Sequence, residues 1–442
     1  MSELQRRQLL MALGAWGAGS LAGAADGKDE AAELRQALQA LQADPANPLP
    51  GLAVLCVRRG EVVFEAQFGE RVVAAEGRPG LPVTPDTLFR IASVTKLVVA
   101  LGVMRLVEAG RLSLDEDVSE RLGFRFRNPR FPDIPITLRL LLSHRAGLTD
   151  EGGIFFELPN SLEALLGPQG SIGAKAWASW APGGHFQYTN LNYGVIASVM
   201  EQAAGQRFDR LIQQWVLGPL GAAGGFDAAS LPPEQLAQLA TLYRKQVEGQ
   251  PWKTEGPWVP QTDDFSREPP KPLKGLADYK LGSNGTLFGP QGRLRISVRG
   301  MGAILQMLLA GGQHRGQAFL SPASIAALCT EQWRYDAKTA NGNTWDGIYQ
   351  AWGVGLQHYL DRSLDGRGDR LYPGLEAWGH CGFAWGLRSG LMFDAGRGNG
   401  IAYAISGTGA DPDLHRARES SFPGFEEKLH RLLWGHLMKA QA

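Results

Sequence analysis

From Ser93 to Ala109 the chain carries Val94, Leu97, Val98, Leu101, Val103, Met104, Leu106 and Val107, which fall on nearly every side of a helix. A helix without a polar face has to be buried all round, so the remainder of the chain must be built around this segment. Gly110 supplies its C-terminal stop. A lysine inside such a helix, Lys96, needs a reason to be there. Ser93 lies three positions earlier, on the same helix face. It also sits at the helix start, where free backbone N–H groups and the dipole favour negative charge. Desolvation lowers a buried lysine's pKa, which would let the amine act as a base for the serine. The competing reading of Ser93-Val94-Thr95-Lys96 is a helix-capping serine beside a lysine whose head snorkels to water.

The other periodicities surround this helix in a simple order. Residues 29–43 place Ala31, Leu34, Leu38 and Leu41 at helical spacing, and residues 52–57 and 62–68 read as strands joined at Arg59-Gly60. Thr137 caps a short helix through His144 that stops at Gly147, and further helices are predicted over 191–203, 207–217, 297–309 and 424–438. Residues 351–359, 386–394 and 400–406 read as strands too closely spaced to be parallel. Strands at both ends and helices in the middle predict an α/β (α+β) fold. One antiparallel sheet, built from both chain ends and flanked by helices, would carry an inserted, mostly helical domain. The sheet domain is expected over 25–123 and 291–442, and the helical domain over 124–290. Within the latter, residues 245–290 are rich in Pro, Gly, Trp and charge and read as a long cleft-facing loop. Trp252 and Trp258 would either wall that cleft or pack at the surface.

Composition removes several classes of function. The 442 residues hold 44 Lys+Arg against 44 Asp+Glu, which leaves no electrostatic footprint for nucleic acid and no polybasic membrane patch. Residues 1–24 read as a signal peptide: Arg6 and Arg7, the mostly apolar run Gln8 to Leu21, then Ala22-Gly23-Ala24 as a cleavage site. The arginine pair resembles a twin-arginine export signal, from which Gln5 and Leu9 depart. A periplasmic or secreted protein is expected, with no stable membrane span after cleavage, because no later run approaches the roughly 20 apolar residues a span needs. Cys56, Cys329 and Cys381 cannot complete a disulfide set and read as packing thiols. Neither His-Glu-x-x-His nor Cys-x-x-Cys nor Gly-x-Ser-x-Gly occurs, and the 8 His are scattered, so no metal and no cofactor is expected. The oligomeric state is not legible.

Two further elements carry candidate chemistry. In Pro182-Gly183-Gly184-His185-Phe186-Gln187-Tyr188-Thr189-Asn190, Tyr188 and Asn190 point the same way if the chain is extended there. The tyrosine could act as a base and the asparagine could hold a substrate amide; the plainer reading is a packed ring and a helix cap. His380-Cys381-Gly382 precedes a predicted strand, and Gly382 would let a ligand approach the backbone closely. The plainer reading there is a strand-edge histidine beside a buried thiol.

Ser-x-x-Lys, Tyr-x-Asn and a Gly-ending third element, in that order, resemble the motifs of the serine β-lactamase and penicillin-binding-protein superfamily. The similarity is closest to the branch holding class C β-lactamases, related carboxylesterases and D-aminopeptidases. Leu112 to Val118 and Leu141-Leu142-Ser143-His144-Arg145-Ala146-Gly147-Leu148 resemble further marks of that branch, with Ser143 and His144 read as structural. The resemblance implies a serine hydrolase that cleaves an ester, amide or peptide through a serine acyl-enzyme, and residues 1–24 add the expectation of export. Ser93, Lys96 and Tyr188 would be catalytic, Asn190, His380 and Gly382 would meet the substrate, and the backbone N–H groups of Ser93 and Phe383 would form the oxyanion hole. His380 stands where most β-lactamases and penicillin-binding proteins have lysine, which weakens carboxylate recognition and favours an esterase or amidase. With a neutral chain, substrate steering would fall to local groups such as His380, Arg388 and the long loop. The alternatives are a D-peptidase or β-lactamase, and a cell-wall or acyl-peptide binding protein with a poorly active site.

Overall fold

A computed structural model describes residues 29–363 and 367–439; the expected export segment lies outside the described residues. Helix α1 spans 29–42. Strands β1 (Gly51–Arg58), β2 (Glu61–Val72) and β3 (Leu81–Pro82) follow, then helix α2 (Thr95–Glu108). Helices α3 (Leu191–Ala204) and α4 (Val298–Leu309) come from the middle of the chain. Strands β4 (Trp333–Arg334), β5 (Ala351–Trp352), β6 (Gln357–Tyr359), β7 (Ala377–Ala384), β8 (Leu387–Asp394) and β9 (Asn399–Ile405) lead to the closing helix α5 (Gly424–Lys439). All nine strands form one antiparallel sheet in the order β4-β5-β6-β7-β8-β9-β1-β2-β3. The pairing of β9 with β1 joins the two chain ends, Leu52 opposite Ile405 and Val57 opposite Gly400.

The alternation of β1 decides what covers each face of the sheet. Ala53, Leu55 and Val57 point to the side packed by α2 and α4. Leu52, Val54 and Cys56 point to the side packed by Leu34 and Leu38 of α1 and by Leu429, Leu433 and Trp434 of α5. A central strand covered on both faces is apolar at every position, which is the composition of Leu52–Val57. The first of these cores runs without a break into the helical insert, through Leu141, Leu191, Val195 and Val199. At its centre lies α2, buried from Thr95 to Met104.

The antiparallel sheet from both chain ends is therefore as read from the sequence, and three local expectations are corrected. Residues 351–359 are not one strand: Gly353 and Gly355, the latter at φ 78°, fold them into the β5–β6 hairpin. The third motif does not precede a strand but lies within β7. Residues 245–290 are not simply a loop, since Leu242–Lys245 pairs with Trp258–Thr262 and with Gly407–Thr408.

The same segment supplies a buried ionic tie. Both Asp263 oxygens accept from Arg90, at 3.0 and 2.8 Å, and from Arg295, at 3.0 and 2.5 Å. The two guanidiniums hold the Asp263 carboxyl far below the usual carboxylate range despite burial. Its stabilising effect is thus present above the unfolded carboxylate pKa and is lost only as pH falls well below it. Asp263→Asn should strand two buried cations and cost about 3–5 kcal/mol. The readout is the urea midpoint at pH 7, and an unchanged midpoint would mean that Arg90 and Arg295 are neutralised elsewhere.

Candidate active site

Ser93 does not cap the helix. It lies in the 3-10 turn Ala92–Val94 that leads into α2, and neither that turn nor α2 has a side-chain cap at its start. Ala92 sits at φ 42°, in the left-handed region that costs a non-glycine residue about 1–3 kcal/mol. The turn is held there from two sides: Ile91 N–H donates to Leu294 O at 3.0 Å, and Ser389 Oγ donates to Ile91 O at 2.7 Å. This strained approach turns the Ser93 side chain out of the core and into a cavity of about 500 Å³.

Lys96 does not snorkel, being fully buried. Its Nζ donates to Ser93 Oγ at 3.1 Å, Asn190 Oδ1 at 2.8 Å and the Gln291 carbonyl at 2.7 Å. It also stands 5.0 Å from the Tyr188 ring centre and 5.3 Å from that of Tyr193. Burial pushes its pKa down to about 7, against a smaller upward pull from Asp150. Ser93 and Lys96 are thus a hydrogen-bonded pair in which the amine is available as a base near neutral pH.

Tyr188 and Asn190 arrive on the strand-like approach to α3. The Tyr188 ring is stacked between His144, at 4.5 Å, and Tyr349, at 4.9 Å. His144 also fixes the backbone, its Nδ1 accepting from Thr189 N–H at 3.0 Å. The Tyr188 hydroxyl is buried without a hydrogen-bond partner among the described residues. Burial pushes its pKa well above the ordinary phenol value, only partly offset by the Ser93 hydroxyl, so the group rests as a phenol.

Asn190 makes no side-chain cap either. Its Oδ1 is taken by Lys96, and its Nδ2 donates to Asp150 Oδ2 at 2.8 Å. The amide is therefore engaged in orienting the lysine, while Asn190 also lines the cavity. Asp150 escaped sequence reasoning, although it stands two residues beyond the Leu141–Leu148 mark. Its carboxylate accepts from the backbone N–H groups of Asn190, at 2.8 and 3.0 Å, and of Leu191, at 3.0 Å, and so caps α3 while setting the asparagine. Gln291 was also missed, because it contributes a backbone carbonyl that no motif records.

The third motif takes a different part from the one expected. His380 is 1% exposed and does not line the cavity; its Nδ1 contacts Cys381 O at 2.6 Å and its Nε2 has no partner among the described residues. Burial, aided by the nearby Lys96 charge, pushes its pKa down to about 3. His380 therefore does not meet a substrate in this cavity, and that expectation is corrected. At Gly382 the close neighbour is the turn that carries Ser93. A Cβ there would meet Ile91 O at 2.6 Å, Ser389 Oγ at 2.6 Å and Ser93 N at 2.9 Å. That approach brings the end of β7 beside the Ser93 N–H, and Phe383 lines the same cavity as Ser93.

The cavity is walled further by Phe155, Trp345 and Trp385, each more than a third exposed. Trp385 and Gly386, at φ 49° and 88°, form the tight turn between β7 and β8 that carries the indole beside the cavity. A neighbouring cavity of about 380 Å³ shares Trp345, Phe383 and Trp385 and is lined by Trp252 and Arg388. Trp258 lies apart from both, against Tyr243 and Lys245.

Residues 34–421 match the family described as Beta-lactamase, and the chain belongs to that family. Esterase EstB of Burkholderia gladioli is 35% identical over 209 residues, which is 43% of this chain and 50% of that protein. Protein flp of Staphylococcus aureus (strain N315) is 26% identical over 179 residues, 39% of this chain and 34% of that protein. The chain therefore spans half or less of the length of these relatives. Among solved structures, a penicillin-binding protein homologue from Caulobacter crescentus superposes with a TM-score of 0.62 at 22% identity, over 92% of this chain and 98% of that one. The D-amino acid amidase of Ochrobactrum anthropi SV3 does so with a TM-score of 0.60 at 19% identity, over 93% of this chain and 100% of that one.

Two substitutions probe the geometry. Gly382→Ala should drive a methyl group into the Ser93 turn and abolish labelling of the serine by a fluorophosphonate; normal labelling would mean that the turn is free to yield. Asp150→Ala should leave Asn190 unanchored and lower kcat by about 10²-fold through misplacement of Lys96. An unchanged kcat would reduce Asp150 to a plain helix cap.

Proposed function

We propose that the protein is an exported serine hydrolase that cleaves an ester or amide through an acyl-enzyme on Ser93. The observation that carries this reading is the Lys96 amine, fully buried, 3.1 Å from Ser93 Oγ and pushed down to about 7. In the proposed cycle the neutral amine removes the Ser93 hydroxyl proton as Oγ bonds to the substrate carbonyl carbon. The N–H groups of Ser93 and Phe383 take the developing oxyanion, an arrangement whose single donors are worth roughly 3 kcal/mol in other enzymes. As the bond to the leaving group breaks, the proton on Lys96 passes to the departing oxygen or nitrogen. Tyr188, a phenol with a free hydroxyl beside Ser93, is suited to relay it. Water then repeats the attack on the serine ester with the same groups.

The similarity to esterase EstB and to the D-amino acid amidase fold supports an ester or amide substrate. The absence of charge at His380 favours the same choice over recognition of a penicillin-type carboxylate through the third motif. The periplasmic or secreted location rests on residues 1–24 alone.

Incubation with 4-nitrophenyl butyrate and with a chromogenic cephalosporin tests the reading. Turnover of the ester should disappear in Ser93→Ala, and equal turnover by that variant would remove Ser93 from the mechanism. The pH dependence has a definite sign. A base with pKa about 7 is protonated below that pH, so kcat/KM should fall on the acid side with an apparent pKa about 7. A profile flat from about pH 5 to 9 would exclude Lys96 as the base.

A further inference from the structure

The cavity in front of Ser93 is lined by Arg90 and Arg293 and, among the described residues, by no carboxylate. Arg90 has a partner: its Nε and Nη2 reach Asp263. Arg293 does not. Asp263 already accepts four hydrogen bonds, two from Arg90 and two from Arg295, which fills the acceptor positions of a carboxylate. No ion pair to Arg293 exists among the described residues, and Asp227 acts on it only at longer range. Among the described residues the side chain makes one hydrogen bond, from Nη1 to the Leu287 carbonyl at 3.2 Å. Its guanidinium lies 5.4 Å from the ring centre of Phe155, which forms the apolar wall beside it.

Three guanidiniums thus crowd around one carboxylate, and of the two that line the cavity beside Ser93 it is Arg293 that is left without an ion pair. Burial, together with the charges of Arg90 and Arg295, holds the Arg293 pKa down to about 10, still a cation at neutral pH. An excess cation in a partly desolvated wall is stabilised by an anion from outside. We infer that Arg293, supported by Arg90, is a binding site for a carboxylate on the substrate, so that the preferred ester or amide carries an acid group. Arg293 thereby supplies the positive charge that His380 does not supply from within β7. The apolar partners Phe155, Trp345 and Trp385 would hold the carbon skeleton between this carboxylate and the scissile carbonyl.

The inference rests on the hydrolase reading, and two measurements keep them separable. The first compares kcat/KM for 4-nitrophenyl hydrogen succinate and 4-nitrophenyl butyrate, esters of equal chain length that differ in one carboxylate. The wild type should prefer the succinate. In Arg293→Gln the succinate-to-butyrate ratio should fall about tenfold or more, mainly through KM, and Arg293→Lys should keep part of it. A wild type without preference, or an unchanged ratio in Arg293→Gln, overturns the inference while leaving the hydrolase standing. The second is calorimetric titration of Ser93→Ala with benzoate and with benzyl alcohol, which needs no turnover. Tighter binding of benzoate, lost in the Ser93→Ala/Arg293→Gln protein, supports the site even if neither ester is hydrolysed; equal binding of the two ligands refutes it.

Discussion

The fold is organised around the burial of one amine. Lys96 sits in a helix that has no polar face, where an ammonium loses its hydration. Three acceptors offset that loss, and they come from three separate stretches: Ser93 at the start of the same helix, Asn190 at the head of α3, and the carbonyl of Gln291. Satisfying the lysine therefore requires the helical insert and the sheet to be docked in one arrangement. The same burial lowers the amine to about 7, so the contacts that fix the architecture also set the chemistry.

The sheet contributes through contact rather than charge. Gly382 lets β7 lie against the Ile91–Ser93 turn, and Ser389 on the paired strand clasps that turn by the Ile91 carbonyl. The positive φ of Ala92 is kept because its neighbours are fixed from both sides. Ser93 on such a turn cannot relax into a regular helical position without breaking these contacts. The aromatic stack of His144, Tyr188 and Tyr349 plays the corresponding part for the tyrosine.

Which features were legible in the sequence follows from the range of the interactions. Ser93 and Lys96 are three residues apart on one helix, and periodicity alone pairs them. Tyr188 and Asn190 were marked by their spacing and by the order of the motifs. The alternation of β1 was legible as a strand, yet its two covered faces required the positions of α1, α4 and α5, which are set by distant segments. Asp150 and Gln291 were not legible, because one works by capping a helix 40 residues away and the other through a carbonyl common to every residue. His380 and Gly382 were found as a motif, but the direction of a strand side chain depends on register. Register here turns His380 inward toward Trp352 and Tyr188 and sets Gly382 against the serine turn. In the 351–359 segment, two glycines overrode a strand-like composition.

The balance of 44 basic and 44 acidic residues excludes a long-range field but says nothing about any one cavity. Short-range pairing decides that. Asp263 saturates itself on Arg90 and Arg295, so Arg293 keeps its charge unpaired on the wall it shares with Ser93. Lys96, by contrast, is neutralised near pH 7 by desolvation, and His380 is neutral for the same reason. On the proposed reading the site separates two roles that a single exposed lysine would confuse: an amine that titrates near neutrality beside Ser93 for proton transfer, and a permanent cation on the same cavity wall for binding. Guanidinium suits the second role, since it stays charged under a desolvation that turns an ammonium into a base.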